Sequence, residues 1–196
     1  MKKIPSLLLV CLLAFSMAFA QYEKRSSEAN VLFTDVKTQL SNNELNEIYD
    51  LTGFALAKNG TQFYLKDEPE TAEAPFDVTV YPLDLNYDGI EEMAFEYGHA
   101  TDGRKAGLST LLCVRDMEGR YRANFGFKGT IVFLNINPLT LPDILVRQSS
   151  FGYPIWRWNG DNYLEHKTID SKVLRRMHVT YLANASKAYT APSVRE

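Results

Sequence analysis

Cysteine is nearly missing from this chain. Two occur in 196 residues. Cys11 lies in an N-terminal apolar run that the protein is expected to lose, which leaves Cys113 alone and excludes an internal disulfide. Cys113 sits in the run Leu111-Leu112-Cys113-Val114. That context predicts a buried thiol, because a reactive one needs a neighbouring base and some exposure. Positive charge is also sparse. The first 20 residues carry Lys2 and Lys3 and no acid, so the remainder has 19 basic against 24 acidic residues, a formal charge of −5. With no basic block to neutralise phosphates, nucleic acid is excluded as the expected partner. Catalytic signatures are missing as well. There is no G-x-S-x-G, no phosphate loop and no C-x-x-C, and His99, His166 and His178 are too widely spaced for an H-x-x-x-H pair. Glu91 and Glu92 are adjacent, so in a strand they point to opposite faces and cannot act as one acid–base pair. Nothing here assembles an active site. A hydrolase of unrecognised type would need a fold that gathers those histidines or carboxylates into a pocket.

The N-terminus does carry a signal. Met1-Lys2-Lys3 is a short positive region, residues 6–19 are almost wholly apolar, and Ala18-Phe19-Ala20 puts small residues at −3 and −1 of a cut before Gln21. Charge, apolar run and A-x-A site in that order mark a secretory signal peptide over residues 1–20. The run falls short of the ~20 residues of a comfortable membrane span, which weighs against an uncleaved anchor. Lipoprotein processing at Cys11 would put bulky Val10 before the cysteine and leave a very short apolar segment. The expected location is the periplasm or the outside of the cell, with no membrane span after cleavage. The 176 remaining residues suit one domain able to bury a core without staples.

Residues 21–33 begin polar and read as a flexible N-terminal tail, with a single mostly-β domain over 34–196. Ser41-Asn42-Asn43-Glu44 is a capping box, followed by Leu45, Ile48 and Tyr49 at helical spacing. Gly53 supplies the left-handed position that ends such a helix. Residues 54–57 and 62–65 flank Asn59-Gly60, a hairpin signal. Residues 66–75 are acidic, contain two prolines and read as an exposed loop. Phe76, Val78 and Val80 alternate with Asp77 and Thr79, and Met93, Phe95 and Tyr97 alternate with Glu92, Ala94 and Glu96, each a half-buried strand. The three glycines within 98–107 predict a mobile loop. Strands are expected over 108–115, 130–134, 143–147, 153–158 and 163–168, with turns at Gly119 and Asn159-Gly160. Val173, Leu174, Met177 and Tyr181 share a helical face, which predicts a C-terminal helix. The fold class is α+β, mostly antiparallel β in blade-like or meander sheets, with an N-terminal helix.

Within this pattern lies Asp84-Leu85-Asn86-Tyr87-Asp88-Gly89-Ile90-Glu91-Glu92. Oxygens at the alternate positions Asp84, Asn86 and Asp88 can converge if the chain curls tightly, and Gly89 permits the curl. The Ile90 carbonyl and the Glu92 carboxylate complete a hard-oxygen cage of the kind calcium requires, with about six to eight oxygens at roughly 2.3–2.6 Å. An EF-hand would need glutamate where Phe95 stands and a helix where a strand follows. The segment resembles the D-x-[DN]-x-D-G-x-x-[DE] loop of FG-GAP/VCBS-type repeats, in which the ion sits in a turn between strands. The longer run from Tyr81 to Tyr163 is similar to exported bacterial proteins that carry this loop. That resemblance implies a fold and a location and no activity. Without an ion, the same residues would build plain Asx turns.

A second, degenerate copy follows 51 residues later as Asn135-x-Asn137-x-x-x-x-x-Asp143, with Leu139 where Asp88 stands. It is expected to bind nothing. Each copy leads to a strand, a glycine turn and a tyrosine (Tyr121, Tyr163), with loop-to-turn spacings of 35 and 25. Two such units suggest repeated β elements whose stacking buries a shared core.

Tyr153, Trp156, Arg157 and Trp158 cluster near the second turn. Trp156 and Trp158 share one strand face. An exposed pair could stack on a sugar or centre a protein interface; a pair turned inward would fill the core between sheets, the favoured reading because large aromatics dominate small β cores. Two N-x-[ST] sequences, Asn59-Gly60-Thr61 and Asn184-Ala185-Ser186, matter only in a host that glycosylates. The expectation is an exported, non-enzymatic binding or adaptor domain with a structural calcium loop and a protein or glycan partner. The alternatives are a carbohydrate-binding module using the Tyr153–Trp158 aromatics, and the hydrolase above.

Overall fold

The computed structural model describes residues 24–101, 106–138, 140–147 and 152–189. The signal-peptide segment 1–20, the start of the expected tail and Leu139 lie outside them. The chain folds as helices α1 (Ser27–Leu32) and α2 (Asn42–Thr52), then strands β1 (Phe54–Leu56) and β2 (Phe63–Leu65), then a 3₁₀ turn over Pro69–Glu73. Eight strands follow: β3 (Val78–Leu83), β4 (Glu92–Thr101), β5 (Ala106–Arg115), β6 (Tyr121–Lys128), β7 (Thr130–Leu134), β8 (Asp143–Arg147), β9 (Tyr153–Trp158) and β10 (Tyr163–Ile169). A short helix α3 (Ser171–Leu174), strand β11 (Val179–Tyr181) and helix α4 (Leu182–Ala188) complete it. The class is α+β with antiparallel sheets, a helix near each end and β structure dominant.

Local chemistry explains the clearest elements. The Ser41 side chain accepts the Glu44 N–H while the Glu44 carboxylate accepts the Ser41 N–H, so the capping box closes from both sides. Gly53 takes φ +68° and ends α2. The hairpin pairs Phe54 with Leu65, as Asn59-Gly60 predicts. Phe54 anchors an aromatic cluster with ring centroids 5.0 Å from Tyr97 and 5.7 Å from Phe76.

The two repeats are two four-stranded meanders. The first sheet runs β3-β4-β5-β6; the second runs β10-β9-β8-β7, with β11 added beside β7. Their correspondence reaches single atoms. The Tyr121 hydroxyl donates to the Glu91 carbonyl at 2.7 Å, and the Tyr163 hydroxyl to the Pro142 carbonyl at 2.9 Å. Glu91 and Pro142 are separated by the same 51 residues as the loops. Each meander also turns on an Asx cap: Asp116 accepts from Glu118 and Arg120 N–H, and Asn159 from Asp161 and Asn162 N–H.

The sheets lie between flanking layers. Met93, Phe95, Cys113 and Tyr121 pack on one face of the first sheet against Ala29, Leu32, Phe33, Leu45 and Ile48 of the helical layer. Its other face shares a core with the second sheet: Leu83, Leu85, Ala94, Leu112 and Val114 meet Ile131, Phe133, Ile144, Val146 and Tyr163. On the far face of the second sheet Val132, Leu134, Leu145 and Ile155 are covered by Leu174, Met177 and Val179. Asn124 of β6 bonds both the Asp161 carbonyl and the Tyr163 N–H, tying the first sheet to the last hairpin of the second.

Three expectations need correction. Residues 21–33 are not a loose tail throughout, because Ser27–Leu32 is helical, capped by Ser26 and docked through Ala29 and Leu32. Residues 98–107 do not form a ten-residue loop. Strand β4 continues to Thr101 and β5 starts at Ala106, with a register shift between Gly98 and Thr101. Gly98, at φ +108°, lets the Gly107 carbonyl approach to where a side chain would sit, 2.7 Å from the position of an added Cβ. The repeat's ten extra residues therefore lengthen this hairpin. Finally, the apolar face of 173–181 is not one helix but α3, a turn and β11, which pairs Val179 with Leu134.

Candidate functional site

The Asp84–Glu92 loop joins β3 to β4. Leu85, 1 % exposed, sinks into the core shared by the sheets and anchors the loop's first half. Side chains then shape the tip: Asp88 Oδ1 accepts the Ile90 N–H at 2.7 Å, Asn86 Oδ1 accepts the Asp88 N–H at 3.3 Å, and Asp84 Oδ2 accepts the Gly89 N–H at 3.2 Å. Tyr87 and Gly89 both take positive φ, 58° and 81°, which gives the tight curl. From outside, Gln39 Nε2 donates to the Gly89 carbonyl at 2.9 Å.

Two carboxylates of this segment are almost wholly buried. Glu92, 3 % exposed, accepts the Leu85 N–H at 2.8 Å. Burial, with Asp88 and Asp84 nearby, pushes its carboxyl up to about 8. Glu91, 1 % exposed, points the other way. It accepts from the Thr38 hydroxyl, the Gln39 N–H (3.1 Å) and the Tyr189 hydroxyl (2.8 Å), and so ties an N-terminal segment and the C-terminal end to the loop. Burial raises its carboxyl too, against those hydrogen bonds. Tyr189 had no signal in sequence, since its partner lies 98 residues away.

Asp84 holds the most telling atom. Its Oδ1 is buried and has no hydrogen-bond partner. A carboxylate oxygen left so costs of order 1–3 kcal/mol or more. Among the described residues no lysine or arginine forms an ion pair with Asp84, Asp88, Glu91 or Glu92. Nor do three acidic, histidine or cysteine side chains come together as a ready metal cluster among them. Asn86 Nδ2 instead donates to Asp88 Oδ2 at 2.8 Å at the loop tip. The donor set nonetheless fits a hard cation, because the Asn86 and Asp88 contacts are exposed and exchangeable, whereas Asp84 and Glu92 are fixed and electrostatically unbalanced.

The second loop differs in a way that explains its degeneracy. Asp143, at the position of Glu92, is ion-paired with Arg157 through contacts of 2.7 and 3.0 Å. Asn137 turns its amide to the Asn135 carbonyl. That copy has no carboxylate to spare.

Between the two loops and the C-terminal β11–α4 segment lies a cavity of about 540 Å³. Leu83, Leu85, Ile136, Ala185 and Ala188 make its apolar walls; Gln39, Asp84, Tyr87, Asn135, His178, Thr180 and Tyr189 supply polar groups.

The aromatic candidates sit elsewhere. Trp156 and Trp158 are half-buried on the face that meets the shared core, with Trp156 packed at a tilt against Phe127 (centroids 4.5 Å) and Trp158 likewise against Tyr163 (5.3 Å). Tyr153 packs on the opposite core, and Arg157 is held by Asp143. These four side chains therefore do not form one exposed platform. The histidines are apart: His99 is on β4, His166 on β10 at one edge of the second sheet, and His178 beside β11 at the other. Cys113 is fully buried, and burial pushes its thiol up to about 12. Comparison with protein-family models, curated proteins and solved structures finds no match to this chain.

Proposed function

We propose that this protein is an exported, non-enzymatic binding or adaptor domain whose β3–β4 loop is held by a structural calcium ion. The observation that carries the calcium reading is the buried, unpaired Asp84 Oδ1 in a loop that also buries Glu92, with no lysine or arginine paired to either among the described residues. The side chains of Asp84, Asn86, Asp88 and Glu92 and the Ile90 carbonyl would hold the ion. Calcium would supply positive charge where no lysine or arginine among the described residues does. The protein's own part is to fix the loop: Leu85 anchors it in the core, Gln39 clamps Gly89, and Glu91 fastens it to Thr38, Gln39 and Tyr189. The binding reading rests on the adjoining cavity and on the scatter of the histidines. Export rests on the N-terminal pattern of lysines, apolar run and A-x-A. No helix among the described residues is long and apolar enough to cross a membrane.

The test is the melting temperature in EGTA and in millimolar calcium, beside Asp88→Ala. An ion at about 10 times its dissociation constant, which about 10 mM calcium gives even for a site of about 10⁻³ M, stabilises the folded state by about 1.4 kcal/mol, a rise of about 3–6 °C in a domain of this size. Wild type should show the rise and Asp88→Ala should lose it. No rise in wild type would reduce the loop to Asx turns.

A further inference from the structure

We propose that the cavity between the two repeat loops binds a small organic cation, an amine or quaternary ammonium group carried on an apolar body. This narrows the binding reading above to a ligand class and rests on it, but it does not require the calcium ion.

Three observations point to this ligand. The cavity's size, about 540 Å³, falls within the roughly 300–1,000 Å³ of small-molecule pockets. Its walls are already set, since Gln39 and Tyr189 are committed to Gly89 and Glu91, and Leu83 and Leu85 are each 1 % exposed. In contrast, the side chains of Asn135, His178 and Thr180 make no hydrogen bond among the described residues and are left to a ligand.

Charge decides the sign. Among the described residues no lysine or arginine lines the cavity, whereas Asp84 does. With calcium in the loop, its two positive charges meet three carboxylates, Asp84, Asp88 and Glu92, and Glu91 adds a fourth. Without calcium, Asp84 and Asp88 still keep the field at this end negative. A phosphate or carboxylate ligand would find only the His178 imidazole as a basic partner, against the Asp84 carboxylate. An ammonium group would find a favourable field, and the rings of Tyr87 and Tyr189 offer the aromatic surface that attracts such cations. The aliphatic wall suits the apolar body.

The test uses phenethylamine and tetramethylammonium as cationic probes and 3-phenylpropionate as the anionic counterpart of similar shape. Binding is followed by amide chemical shifts, in EGTA and in calcium. Two variants sit on α4 outside the calcium loop, at an exposed wall position: Ala188→Lys adds a positive charge to the wall and Ala188→Trp fills the space. Unchanged melting temperatures show that both fold. We expect saturable millimolar or tighter binding of the amines under both conditions, 3-phenylpropionate at least about tenfold weaker, Ala188→Lys weakening the amines about tenfold, and Ala188→Trp abolishing binding. Three results would each overturn the proposal: no saturable binding of either cation, equal binding of the anion, or undiminished binding in Ala188→Lys. Calcium-dependent melting without any probe reports on the loop alone, so a failed cavity and a failed calcium site give different results.

Discussion

Replacing Glu92 with glutamine should alter how stability depends on pH. In the folded protein, burial, with Asp88 and Asp84 nearby, pushes the Glu92 carboxyl from 4.5 up to about 8, against the pull of the Leu85 N–H. In the unfolded chain it has an ordinary value. Between those two values the folded state keeps a proton that the unfolded state releases. This contribution is therefore fully present below about pH 4.5 and is lost as pH rises towards 8. At about 1.4 kcal/mol for each pH unit between the two values, the ceiling is about 5 kcal/mol. Relaxation of a loop whose tip is solvated should reduce this to about 2–3 kcal/mol, or about 5–10 °C. Glutamine keeps the shape and can still accept the Leu85 N–H, but it does not ionise. The assay is melting temperature from pH 5.5 to 9 in EGTA (about one point per half unit suffices to resolve a single titration). Wild type should fall relative to Glu92→Gln across that range, and calcium should remove the fall. Parallel profiles in EGTA would refute the reasoning, because a buried carboxylate lacking a cation cannot titrate without a stability cost.

Two other perturbations test the architecture. Tyr121→Phe and Tyr163→Phe each delete a hydroxyl that satisfies a buried carbonyl just before β4 or β8; each should cost about 1–2 kcal/mol in urea unfolding, and the two should add because they belong to different repeats. Trp156→Ala and Trp158→Ala should each destabilise by about 2–4 kcal/mol through lost packing on the shared core. If either leaves stability intact but abolishes binding to a glycan array, the rings are a sugar platform instead.

Local signals were legible and distant ones were not. The Ser41–Glu44 box, the Asn59-Gly60 hairpin and the strands at 143–147 and 153–158 each announce themselves within a few residues, and the structure places them there. The 51-residue offset, read from three polar positions, recurs as a matched pair of tyrosine hydrogen bonds. Helix α1 was hidden because its buried side amounts to Ala29 and Leu32 amid polar residues. The C-terminal segment misled because Leu174, Met177 and Val179 all do face one core, but they reach it from a helix, a turn and a strand that pairs with β7. Periodicity cannot see a partner 45 residues away. Glycines at 98 and 107 looked like a loop because their role, close backbone approach, depends on the facing strand. At the candidate site, the Asp84–Glu92 spacing was readable. The burial of Glu91, its link to Tyr189 and the cavity beside them arise only from tertiary packing.

The central claim is that the Asp84–Glu92 loop takes a calcium ion, and calorimetric titration of the protein with calcium tests it most directly. The account predicts one ion per chain with a dissociation constant of about 10⁻³ M or tighter, and loss of that binding in both Asp84→Ala and Asp88→Ala. No binding by wild type at about 10 mM calcium, well above the range of extracellular modules, would contradict it, as would binding that survives both substitutions.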